Sequence, residues 1–119
     1  MDIRLEAAFD VIKYQQTLIN QRDLLEAWLN ESLQYSNYGG TFKITPQLMV
    51  FVKLLVDNHY QASVIIDEYN TPILVENLQE FLETLLEIYA TVTNEYYVKF
   101  QELRKKRNVK DLVGWGEES

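Results

Sequence analysis

From Leu78 onward one spacing governs the chain. Leu78, Leu82, Leu85, Tyr89, Val92, Tyr96, then Lys99 or Phe100, and Leu103 follow one another at steps of four and three residues. Apolar side chains at that interval form one stripe along a helix, and more than three heptads of it make a coiled-coil or helical-hairpin seam. Such a helix is ~40 Å long at 1.5 Å per residue. It exceeds what a small core needs, which points to dimerisation or docking through this seam as well as to one long partner helix within the chain. Asn77, with Glu80 three residues on, supplies a capping-box start. Phe81, Ile88, Tyr97 and Phe100 widen the apolar face, and Arg104, Lys105, Lys106 and Arg107 close the helix where cations suit its negative end.

The partner is expected at the other end of the chain. Ile3 to about Tyr35 reads as a long helix with a broad apolar face, because Leu5, Phe9, Ile12 and Ile19, and also Val11, Leu18, Leu25, Trp28 and Leu29, recur at helical spacing. Ser36 to Gly40 ends it, since paired glycines accept positive φ and are unfavourable within a helix. Thr41 to Thr45 then alternates like a half-buried strand. Thr45-Pro46 is a helix start, and the apolar run Leu48 to Val56 predicts a buried central helix over about Pro46 to Asn58. Ala62–Asp67 and Pro72–Glu76 flank a four-residue loop and predict a β-hairpin, to which Phe42–Thr45 can add a third strand. Pro72 belongs at a strand start or edge. The expected fold is α+β and mostly helical. Long N- and C-terminal helices pack antiparallel, with a central helix and a small antiparallel β-hairpin or sheet. Residues 1–107 form a single domain and 108–119 a flexible tail.

Composition narrows the chemistry. Among 119 residues there is no cysteine and one histidine, which removes disulfides, thiolate nucleophiles and Cys-bearing zinc sites. Neither a nucleophile-elbow serine nor a phosphate loop is present, and Gly39-Gly40 precedes a strand rather than a helix. His59 with Asp57 and Asp67 is the nearest approach to a metal set, but a lone histidine at a helix end reads better as a capping or solvated residue. Glu80, Glu83 and Glu87 share a helix face without the Glu-x-x-His partner of a bundle metal site, and so form a solvated face. No catalytic residue, metal or cofactor is expected. The longest apolar window, Leu48 to Val56, is interrupted by Lys53 and falls far short of the ~20 residues that span a bilayer. With no signal-like N-terminus, the expected compartment is the cytoplasm.

The net charge of −7 conceals an asymmetry. Met1 to Val98 carries 14 acidic and 5 basic residues, whereas Lys99 to Lys110 carries 6 basic and 1 acidic. An acidic body disfavours general attraction to nucleic acid. The basic end fits either compensation of the helix dipole or salt-dependent contact with phosphates. Beyond it, Trp115 is an aromatic of the kind interaction segments use as an anchor.

Five stretches together resemble small conserved proteins of unassigned role in T4-like myoviruses of cyanobacteria. They are Gly40–Pro46, Phe51-Val52-Lys53, Pro72–Phe81, and Thr93–Tyr97 with the Arg107–Val113 segment, so the likeness spans residues 39–113. It implies a phage setting, in the cytoplasm of the infected host cell or the virion, and transfers no catalytic residue. The function expected is that of a non-enzymatic phage structural or assembly protein acting through helix-mediated protein contacts or self-association as a homo-oligomer. Its interaction residues are Leu78, Leu82, Leu85, Tyr89, Val92, Tyr96, Leu103, Arg104, Lys105, Lys106, Arg107 and Trp115. The alternatives are an accessory role on nucleic acid through the basic end, and a host-directed inhibitor or adaptor.

Overall fold

In the computed structural model the order of elements is α1 (Ile3–Ser32), β1 (Gln34–Asn37), β2 (Gly40–Lys43), α2 (Pro46–Asp57), β3 (Ser63–Ile66), β4 (Pro72–Val75) and α3 (Leu78–Glu118). The structure describes the backbone of residues 3–118 and the side chains of residues 4–106. Helix α3 runs on through residues 108–118, where the sequence predicts a flexible tail; the side chains of Arg107 and Trp115 lie outside the described residues. The fold is α+β and mostly helical, with long terminal helices and two small antiparallel sheets.

The chain divides into two compact units. Residues 29–94 form one, and residues 1–28 with 95–119 form the other. In the 29–94 unit, α2 begins as its sequence dictates: the Thr45 hydroxyl accepts a hydrogen bond from the Leu48 N–H (3.1 Å), and Pro46 follows in the first turn. The same logic starts α3, where the Asn77 carboxamide oxygen accepts the Glu80 N–H (3.0 Å) and its amide reaches the Glu80 carboxylate (3.3 Å). Met49 and Val52 of α2, Ile65, Ile73 and Val75 of the hairpin, and Leu78, Phe81, Leu82 and Leu85 of α3 make one core with Phe42 and Ile44. Phe81 is its aromatic centre. Its ring lies 4.9 Å from Phe42 edge to face, 5.9 Å from Tyr35 stacked, and 6.4 Å from Tyr38.

Two further expectations are corrected. Helix α1 stops at Ser32 rather than near Tyr35, because Gln34–Asn37 is a strand paired with Gly40–Lys43. Tyr38 (φ 58°) and Gly39 (φ 79°) form a two-residue connection with positive φ at both positions, the type I′ turn that suits strand twist. The usual Asn-Gly signal for it was absent, so a tyrosine in the left-handed region hid the hairpin.

The second correction concerns the sheet. Strand β2 does not join β3–β4, and the four strands form two separate two-stranded sheets. The outward edge of β2 is bound by the loop instead: the Glu68 N–H donates to Thr41 O (2.9 Å), and the Asp67 carboxylate accepts the Thr41 N–H (3.1 Å). Asp67 also accepts the N–H groups of Tyr69 and Thr71, both at 2.9 Å. The buried carboxylate therefore shapes its own turn and fastens it to the neighbouring hairpin. Asn70 (φ 61°) completes that turn in the left-handed position which follows a type I turn.

In the unit of residues 1–28 and 95–119, α1 and α3 run antiparallel. Tyr14 donates to the Lys106 carbonyl (2.7 Å), the Arg22 guanidinium lies 5.4 Å over the Phe100 ring, and the Lys99 ammonium lies 3.8 Å over Trp28. Contacts that advance along one helix retreat along the other.

Candidate interaction surface

The residues marked out by the α3 spacing divide in two. Leu78, Leu82 and Leu85 are buried in the core of the 29–94 unit, and Tyr89 packs against that core. Val92 is buried as well. These side chains serve the protein's own fold and present no free stripe to a partner. Tyr96 and Leu103 are half-buried in the helix pair, Tyr96 with its ring 5.9 Å from Phe100. Arg104, Lys105 and Lys106 are exposed.

Helix α1 holds what the spacing of α3 did not reveal. Most of its apolar residues belong to two stripes with steps of three, four or seven, while Leu24, 70% exposed, lies on neither. Val11, Tyr14, Leu18, Gln21, Leu25 and Trp28 are half-buried or buried. Leu5, Phe9, Ile12 and Ile19 are 48%, 48%, 57% and 54% exposed. At ~100° per residue the centres of the two stripes lie ~165° apart, so one helix is apolar on two nearly opposite faces. The sequence signal was present, because both sets of residues recur at helical spacing. Reading them as one broad face merged them.

Between the two helices Leu18, Phe100 and Leu103, with Ile19 from the near edge of the exposed stripe, line an apolar groove flanked by Arg22 and Arg104. Gln21 occupies the covered stripe with its carboxamide oxygen buried and, among the described residues, without a hydrogen-bond partner.

The other unit also leaves apolar side chains outside. Pro46, Val50, Phe51 and Leu54 line a shallow groove on α2. On the hairpin, Ile65, Ile73 and Val75 turn inward, so by alternation Val64, Ile66 and Leu74 are exposed, with Val64 directly across from Leu74.

Several polar groups in this unit have structural partners. Asp57 pairs with Lys53 (2.9 Å), Asp67 is held by backbone N–H groups, and Gln79 donates to the Glu83 carboxylate (3.0 Å). His59 borders a polar cleft with Tyr60, Glu76 and Asn77. Its left-handed backbone (φ 68°) follows from helix capping: His59 N–H donates to Val56 O and Tyr60 N–H to Leu55 O, both at 3.0 Å. These are the paired bonds of a Schellman motif around the Asn58 cap. Among the described residues no three His, Asp or Glu side chains are grouped to hold a metal ion. Burial and the nearby charge of Glu80 raise the Tyr38 phenol above its ordinary pKa, and its ring meets Phe81 edge to face. Among the described residues no helix is long and apolar enough to cross a membrane.

No known protein family, curated protein or solved structure matches this chain.

Proposed function

We propose that this protein acts by protein–protein association, without catalysis, as a small phage structural or assembly component. The observation that carries the reading is that α1, α2 and the β3–β4 hairpin each turn one apolar face inward and leave a second in solvent. Isolated exposed hydrophobic residues are ordinary, but rows of them on regular elements mark contact surfaces. The resemblance over residues 39–113 supplies the phage setting. The test is a mass-spectrometric inventory of purified particles and assembly intermediates from infected cells. The chain is expected in one or both fractions, and its absence from both overturns the structural role.

A second reading has one observation in its favour, the exposed cations Arg104, Lys105 and Lys106. It predicts salt-sensitive retention of DNA or RNA that is lost when the three become Glu. Retention unchanged by those substitutions removes it.

A further inference from the structure

We propose that a second copy of the chain docks antiparallel along the Leu5, Phe9, Ile12 and Ile19 face of α1. The inference rests on the association reading and names its surface, partner and register. The unit of residues 1–28 and 95–119 needs such a partner more than the other unit does. Among its described residues Leu25 is the only buried apolar side chain, whereas the 29–94 unit buries 12. Two helices alone can cover one stripe each, and α1 has two. The uncovered one has the spacing by which helices pair.

Charge selects the occupant and its direction. When Phe9 lies across from Ile12 of the partner subunit, two-fold symmetry repeats the contact, and Leu5 meets the stem of Gln16 of the partner subunit. Glu6 and Lys13 flank this stripe on the same side. In an antiparallel pair, same-side flanking positions face each other. In this register Glu6 faces Lys13 of the partner subunit, twice. Sliding by one heptad sets Lys13 against Lys13 in one direction and Glu6 against Glu6 in the other. Only the central register is attractive on this flank.

The area is adequate. Four large apolar side chains at about half exposure offer roughly 400 Å² per copy, and the stems of flanking Lys13, Gln16 and Arg22 extend the contact toward the ~800 Å² per partner of a standard interface.

Sedimentation equilibrium on the full chain tests the proposal. The wild type is expected to dimerise at micromolar concentration, and Phe9→Ser or Ile12→Ser to leave a monomer with unchanged far-UV circular dichroism, since both side chains face solvent in the single chain. Glu6→Lys and Lys13→Glu should each weaken the dimer roughly tenfold, two like-charge contacts replacing two attractive ones. The double exchange Glu6→Lys with Lys13→Glu should restore it. A wild type that stays monomeric to several hundred micromolar overturns the proposal. So does a dimer indifferent to Phe9→Ser, or a double exchange no tighter than the singles. A monomer that loses its place in purified particles on Phe9→Ser identifies a different occupant, overturning the second copy while the association reading stands. Absence from particles, by contrast, counts against the structural role and leaves the dimer measurement unaffected.

Discussion

Gly39 and Gly40 are adjacent, yet alanine should fail at each for a different reason. Gly39 has φ +79° and open space around a built Cβ, so Gly39→Ala meets only backbone strain, about 1–2 kcal/mol for an L residue in the left-handed region. Gly40 has no such φ, but its Cβ would stand 2.6 Å from Ile73 Cγ1, 3.0 Å from Cδ1 and 3.3 Å from an Asp67 carboxylate oxygen. Carbon atoms rest at roughly 3.5–4.0 Å, so Ile73 must shift by about 1 Å within a filled core. Overpacking of this kind costs about 1–3 kcal/mol, and the reduced freedom of the unfolded chain returns about 0.4–1. The net expectation for Gly40→Ala is a loss of about 1–2 kcal/mol. Stability alone does not separate the two variants, but a double-mutant cycle with Ile73→Ala in urea unfolding does. Removing the Ile73 side chain should relieve Gly40→Ala by about 1 kcal/mol or more and leave Gly39→Ala unrelieved. If both cycles are additive, the clash is not what excludes a side chain at position 40.

The left-handed His59 gives a prediction of opposite sign: His59→Gly should raise the urea midpoint, by about 0.5–1 kcal/mol, because glycine takes that capping position without strain. A loss of stability would mean that the side chain contributes more than the cap. Gln21→Leu should also stabilise, by about 1–3 kcal/mol, since it removes a buried carboxamide oxygen that lacks a partner among the described residues; thermal melts of the two chains decide it. Asp67 lies below the ordinary carboxylate range, chiefly through the Thr71 N–H, against burial and with help from the Thr41 and Tyr69 N–H groups. A lowered folded-state pKa gives stability that is present above the unfolded value and lost as pH falls through the folded one. The urea midpoint should therefore drop as pH falls below about 4, and Asp67→Asn should be less stable at neutral pH with a shallower acid drop. Parallel curves for the two proteins would show that Asp67 is not the group responsible.

What the sequence disclosed depended on whether the deciding interaction was local. Helix α2 and the start of α3 were legible because Thr45-Pro46 and Asn77 with Glu80 are bonded within four residues of one another, as the structure confirms. The β3–β4 hairpin was legible because its loop chemistry is local too. The β1–β2 hairpin was not, since Tyr38 occupies a position that the sequence pattern assigns to Asn, Asp or Gly. Its ring meets Phe81 edge to face, 43 positions along the chain, and nothing in Ser36–Gly40 announces that contact. The separation of the two sheets was hidden for the same reason. It depends on Asp67 and Glu68 reaching Thr41, 26 and 27 positions earlier.

The α3 stripe raises a subtler point. Its spacing correctly identified a long helix whose apolar face is covered, but spacing alone does not say by what. Leu78, Leu82 and Leu85 meet a sheet-and-helix core, while Tyr96, Lys99 and Phe100 belong to the helix pair. A continuous heptad pattern here serves two different environments in succession. Excess length of an apolar stripe is therefore weak evidence for an external partner, because a second unit of the same chain can use it. Excess number of stripes is stronger. Helix α1 carries two of them ~165° apart, and a single antiparallel neighbour covers only one. The argument for association thus moves from α3, where the pattern is most regular, to α1, where the pattern is doubled and half of it remains in solvent.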